Sequence, residues 1–220
     1  MQWQRGLTPS GTGADSFGQT PSCVRLDSSD NAYIAFAGYN DYIDSNGDSF
    51  NSTTIVKYNS SGTLQWQKQF GSGQQFPKWG GVDSAGNVYV QHNSGTVSYL
   101  IKLNSSGVVQ WQRSITGSAG TSNSGTVVAV NDSNIFVTFS ASDGTAVSAY
   151  QMVVPTDGSK TGTYTVGGKT INYSASSLTI SDKSGSMTNT NTYSNRTQNT
   201  TTAGMGTINA LVNSTGLTNI

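Results

Sequence analysis

Lys57-Tyr58-Asn59-Ser60-Ser61-Gly62-Thr63-Leu64-Gln65-Trp66-Gln67-Lys68 decides the fold, because it occurs twice. It returns as Lys102-Leu103-Asn104-Ser105-Ser106-Gly107-Val108-Val109-Gln110-Trp111-Gln112-Arg113, and its tail opens the chain as Met1-Gln2-Trp3-Gln4-Arg5. Each full copy reads as strand, tight turn, strand. Asn and Ser bond back to nearby backbone, and Gly supplies the positive φ that a tight turn requires. The second strand alternates, with Leu64 and Trp66 on one face and Gln65 and Gln67 on the other. Val109 and Trp111 against Gln110 and Gln112 repeat the split. The aliphatic–Trp face is expected to be buried, and the Gln face wet or packed on a neighbouring element.

A second hairpin alternates with the first. Asp27 to Tyr33, Asp83 to Tyr89 and Asn131 to Phe136 each place an Asx residue, a short turn, an Asn and then an aromatic residue. Asn31, Asn87 and Asn134 correspond, as do Tyr33, Tyr89 and Phe136. Two hairpins make four strands per repeat. Trp66 and Trp111 lie 45 residues apart (111 − 66), and the first repeat is longer by a loop at Gly38–Ser52. Repeats of this length without helical periodicity predict β-propeller-like blades, about three of them and an incomplete set, in an all-β chain. Trp3, Trp66, Trp111, Tyr33, Tyr89 and Phe136 are the expected structural repeat residues.

The third repeat decays, with Gly162 where a further Trp would fall. Three regions are therefore expected: propeller-like repeats over residues 1–158, a β-hairpin region over 159–181, and a Ser/Thr/Asn-rich extended arm over 182–220. Gly167-Gly168 between alternating strands is the hairpin signal. The arm, from about Ser181, is too polar to hold a core alone and is expected to reach onto another chain.

The composition sets limits on function. Charged residues are 10% of the chain and the net charge is zero, so nothing points to a nucleic-acid partner. No apolar run reaches about 18 residues, so membrane insertion by a helix is not expected. The opening residues lack the apolar segment of a signal peptide, and the single cysteine, Cys23, forms no internal disulfide. Glu is absent, and no nucleotide-binding loop, Cys/His metal spacing or paired-carboxylate signature occurs. The expected chain is not an enzyme and uses no cofactor.

Two weak candidate sites remain. Asp41, Asp44, Asn46 and Asp48 cluster oxygen ligands around Gly47, as calcium prefers, but the spacing does not follow an EF-hand loop. Trp79, outside the repeat in Phe76-Pro77-Lys78-Trp79-Gly80, is the candidate for stacking on a sugar. His92, the only histidine, follows a strand and has no visible catalytic partner.

With Asp-Ser-x-Gly-Asn-x-Tyr-Val at 83–90 and Lys-Tyr-Asn-Ser-Ser-Gly-x-Leu-Gln-Trp-Gln at 57–67, the chain resembles bacterial β-propeller repeat proteins. It is most similar to their relatives among the virion structural proteins of tailed bacteriophages. The resemblance covers residues 1–155. It implies a non-enzymatic structural or attachment protein of the tail or tail fibre. Such a protein assembles in host cytoplasm, with copies of itself, other virion proteins and a host-surface glycan as partners. A glycan-binding adhesin module is the alternative. A quinoprotein-like propeller enzyme is the second alternative, although that family places its Trp differently and its cofactor residues find no match here.

Overall fold

The computed structural model describes residues 20–43, 49–70, 78–94, 97–117, 126–142, 147–166 and 168–182. All of the regular structure among them is strand, and all of the pairing is antiparallel. The chain is all-β, as expected from its alternation and turn chemistry.

The first sheet is a four-strand meander: β1 (Thr20–Leu26), β2 (Ala32–Ile43), β3 (Ser49–Tyr58) and β4 (Leu64–Phe70). The second repeats it with β5 (Lys78–Val82), β6 (Val88–Ser94), β7 (Val97–Leu103) and β8 (Val109–Gly117). The third has three strands, β9 (Thr126–Val130), β10 (Asn134–Ser142) and β11 (Val147–Pro155). The chain then turns back on itself. β12 (Gly162–Val166) and β13 (Lys169–Ala175) form a hairpin that continues the second sheet past β8. β14 (Ile180–Asp182) continues the first sheet past β4, where Lys68 and Asp182 form an ion pair. Asp182 therefore belongs to a sheet, and the arm's first residues pair with their own chain. The remainder of the arm lies outside the described residues.

The predicted Gly38–Ser52 loop is a correction. Strand pairing runs well into it: β2 continues to Ile43 and β3 begins at Ser49, with Tyr42 opposite Phe50. The pairing is interrupted between Gly38 and Tyr42 and resumes beyond that irregularity.

The repeated turns have a common chemistry. Asp83 Oδ1 accepts the amides of Ala85 and Asn87 at 3.1 and 2.8 Å, and its Oδ2 accepts the Asn87 side-chain amide at 2.8 Å and the Tyr89 hydroxyl at 2.9 Å. Asp27 does the same with Ser29, Asn31 and Tyr33. One carboxylate thus gathers every residue of the motif. Burial pushes the Asp27 carboxyl up, but hydrogen bonds from Asn31, Ser29 and Tyr33 outweigh it and hold the group below its ordinary value. Burial, then the neighbouring carboxylate, raises the hydroxyls of Tyr33 and Tyr89.

The first-hairpin turns are equally regular. Asn104 Oδ1 accepts the amides of Ser106 and Val108 at 3.0 and 2.9 Å, and Asn59 Oδ1 accepts that of Thr63 at 2.8 Å. Gly62 and Gly107 take φ of 76° and 78°.

Two apolar cores lie between the sheets. Tyr33, Ile55 and Phe70 of the first sheet meet Val88, Val90 and Ile101 of the second. Tyr89, Leu100 and Ile115 of the second meet Ile135, Val137 and Phe139 of the third, with Ile171 and Tyr173 of β13. β5 lies against both β1 and β9, and a Cβ on Gly81 would come within 2.8 Å of Val130. That glycine sets how closely the second and third sheets approach.

Asp83→Ala removes the acceptor of four hydrogen bonds and leaves the buried Tyr89 hydroxyl without its carboxylate acceptor. The expected loss in a denaturant melt is about 2–4 kcal/mol. Tyr89→Phe, which removes one bond to a charged acceptor, is expected to cost about 1.5–3 kcal/mol.

Candidate functional site

The repeat residues form rows across the sheets. In the first, Tyr33 pairs with Lys57 and Lys57 with Trp66; in the second, Tyr89 pairs with Lys102 and Lys102 with Trp111. Each row faces the turns of the next sheet. The Trp66 indole Nε1–H and the Lys57 ammonium both donate to the Ser105 carbonyl, each at 3.0 Å. The Trp111 indole and Lys102 both donate to the Thr156 carbonyl, each at 3.1 Å. Lys57 also lies 5.1 Å from the centre of the Tyr33 ring, and Lys102 5.2 Å from that of Tyr89.

Under each indole lies a glycine. A Cβ on Gly107 would meet Trp66 at 2.8 Å, and one on Gly158 would meet Trp111 at 2.8 Å. Both glycines have positive φ, so two independent constraints select them. Gly62, the matching position in the first sheet, is also buried.

Trp66 and Trp111 are half-buried and Gln65 and Gln110 exposed, in the order expected. Leu64 departs from its expected face and is 37% exposed. The register slips between Lys57 and Tyr58, so Leu64 pairs with Tyr58 across a bulge and the alternation does not reach it. Gln112 packs on a neighbour, exchanging hydrogen bonds with the backbone of Leu178 at 3.1 and 2.7 Å.

Phe136 is the departure in the third sheet. It occupies the register position of Tyr33 and Tyr89, opposite Val153, yet it is 38% exposed and Val153 is 56% exposed. The turn before it is one residue shorter, and Asn131 has no aromatic hydroxyl to hold. No described turn covers this face.

Beside it, between β11 and the β12–β13 hairpin, lies a cleft of about 390 Å³ lined by Tyr150, Met152, Lys160, Tyr164 and Tyr173, among others. Tyr173 is 1% exposed, and its hydroxyl has no hydrogen-bond partner among the described residues. Burial pushes that hydroxyl up to about 12.

A second polar group lies deep between the first two sheets. Thr53, Gln91, His92, Asn93 and Ser98 are fully buried. His92 Nδ1 is 3.1 Å from the Thr53 hydroxyl, and the ring lies between Phe70 and Tyr99. Burial lowers the imidazole to about 4. Its described contacts are a hydroxyl and aromatic rings, and burial keeps the imidazole neutral at ordinary pH.

Asp41 lies in β2 and Trp79 in β5, opposite Val90, but their side chains are outside the described residues, as are Trp3, Asp44, Asn46 and Asp48. No trio of His, Cys or Asp that could hold a metal ion occurs among the described residues. No protein-family model matches the chain, and a search of curated proteins finds no match.

His92 makes stability depend on pH. Its folded-state value is below the ordinary 6.5, so between about pH 6.5 and 4 the unfolded chain takes up a proton that the folded chain refuses. Its contribution is complete above pH 6.5 and falls by roughly 3 kcal/mol as the pH approaches 4. Urea melts across that window should show the slope in the native chain and lose most of it in His92→Gln.

Proposed function

We propose that this chain is a non-enzymatic structural or attachment component of a bacteriophage virion, in the tail or a tail fibre. On this reading its three sheets are blades of a β-propeller. The observation that carries it is the open face of the third sheet. Two sheets seat an aromatic–Lys–Trp row on the next sheet's turns, and the third presents Phe136 and Val153 with nothing described upon them. An exposed apolar face that repeats a buried one is suited to continued assembly. The inner strands β1, β5 and β9 lie side by side, which is how blades surround an axis. The resemblance over residues 1–155 supplies the virion, and copies of the chain and other virion proteins are the partners proposed.

A glycan-binding module is the second reading. The cleft beside β11 favours it, since Tyr150 and Tyr164 offer rings while Asn134 and Lys160 offer polar contacts to a sugar.

Quantitative mass spectrometry of purified particles of the phage that encodes this chain should find it at a fixed, symmetric copy number. Its absence from particles would overturn the proposal. A glycan array separates the second reading: selective binding lost in Tyr164→Ala, by a chain that particles lack, would establish it in place of the first.

A further inference from the structure

Among the described residues the third sheet lacks the strand that β4 and β8 provide in the other two. After β11 the chain reaches the turn at Gly158 and then gives β12 to β13, on the second sheet. No described strand pairs with the outer edge of β11. An unpaired strand edge beside an apolar face is a template for another strand.

The sequence contains a strand of the missing type. Met1-Gln2-Trp3-Gln4-Arg5-Gly6-Leu7 matches Leu64-Gln65-Trp66-Gln67-Lys68-Gln69-Phe70 and Val109-Gln110-Trp111-Gln112-Arg113-Ser114-Ile115 position by position. Apolar residues stand at both ends, Gln-Trp-Gln in the middle, and a cation follows. In the known copies the last position is core: Phe70 is fully buried and Ile115 1% exposed. Leu7 is the equivalent. The registers of β3 with β4 and of β7 with β8 put Trp3 opposite Val153 and Gln4 opposite Met152. Trp3 would then complete the row begun by Phe136 and Val153. Gln4 would face the cleft, where the buried Tyr173 hydroxyl has no partner among the described residues.

The same repeat says where Trp3 should sit. Trp66 covers Gly107 in the sheet that follows it, and Trp111 covers Gly158. Trp3 precedes the first sheet, so by the same rule its seat would be the buried, positive-φ Gly62. One strand cannot meet both requirements within one chain unless the third sheet packs on the first. Among the described residues it does not, because the face of Phe136 and Val153 is open. Both requirements are met if the β11 edge belongs to a second copy.

We propose that two copies of this chain close a ring, each giving Met1–Leu7 to the outer edge of its partner's β11. Phe136 and Val153 of one copy then cover the first-sheet turns of the other, beside Trp3 on Gly62. Two copies bring six sheets, within the four to eight that propellers use, whereas three copies would exceed it. A two-fold axis makes both junctions identical. The proposal rests on the repeat-unit reading of the sheets and not on the virion. A dimer that particles lack would leave it standing.

Light scattering on the full chain should give the mass of two 23.0 kDa chains. A chain beginning at Thr8 should be a monomer, with amides of Ser148–Val154 exchanging about tenfold faster or more. A synthetic Met1–Leu7 peptide should restore their protection, and its Trp3→Ala form should not. If the shortened chain does not fold, Trp3→Ala in the full chain provides the test. It should raise the dimer dissociation constant at least about tenfold while β8 keeps its protection. A monomeric full chain overturns the proposal. So does a dimer that neither Trp3→Ala nor removal of residues 1–7 weakens.

Discussion

The contact on which the architecture depends is an indole laid flat on a glycine of the next sheet's turn. Gly107 needs positive φ to close its own hairpin, and it needs a bare Cα because Trp66 occupies the space of a side chain. The carbonyl of Ser105, two residues before it, then receives both the indole N–H and the Lys57 ammonium. Lys57 is 8% exposed, a costly position for a charge unless it is bonded. The carbonyl and the Tyr33 ring supply what water would have supplied. Turn geometry, sheet spacing and the placement of a buried cation therefore follow from one site, and the second and third sheets meet in the same way at Gly158.

The Asp-centred turns work at the opposite end of each row. The carboxylate of Asp83 fixes its own loop and also holds the Tyr89 hydroxyl, so the ring that begins the row cannot rotate away. Turn tips also bond from sheet to sheet: the Ser84 amide donates to Asp132 at 2.9 Å. The third sheet keeps the Asx turn, but its described row has Phe136 and Val153 where the others have a tyrosine and a lysine. Its row is apolar where the others are amphipathic, consistent with a face whose polar contacts come from elsewhere.

Much of this was legible in the sequence because it is local. Asp, Asn and Tyr at fixed offsets imply a turn, and they do meet, on one carboxylate. The two-strand turns at Gly62 and Gly107 and the hairpin before Lys169 were readable for the same reason. What escaped was non-local. Nothing in Lys169–Ala175 marks β8 as its neighbour, and nothing in Ile180–Asp182 marks β4, because edge pairing is set by backbone groups that every residue carries. The glycine seats escaped too. Gly107 was explained by its turn alone, and its second duty became visible only with Trp66 above it. The burial of His92 was likewise hidden, since Gln-His-Asn at the end of a strand reads as surface until both faces of the sheet are covered.

The return of the chain to its first sheet imposes an order on synthesis. β4 receives its outer neighbour only when Ile180–Asp182 has been made, and Lys68 and Asp182 are 114 residues apart. A ribosome adding about 5–20 residues per second needs roughly 6–23 s to cover that interval. For that time the nascent first sheet carries an uncovered edge. The polar residues that fill β4, Gln65, Gln67, Lys68 and Gln69, keep that edge hydrated and poorly suited to joining a neighbouring nascent chain. The wealth of amides on this strand thus serves the unfinished protein as well as the finished one.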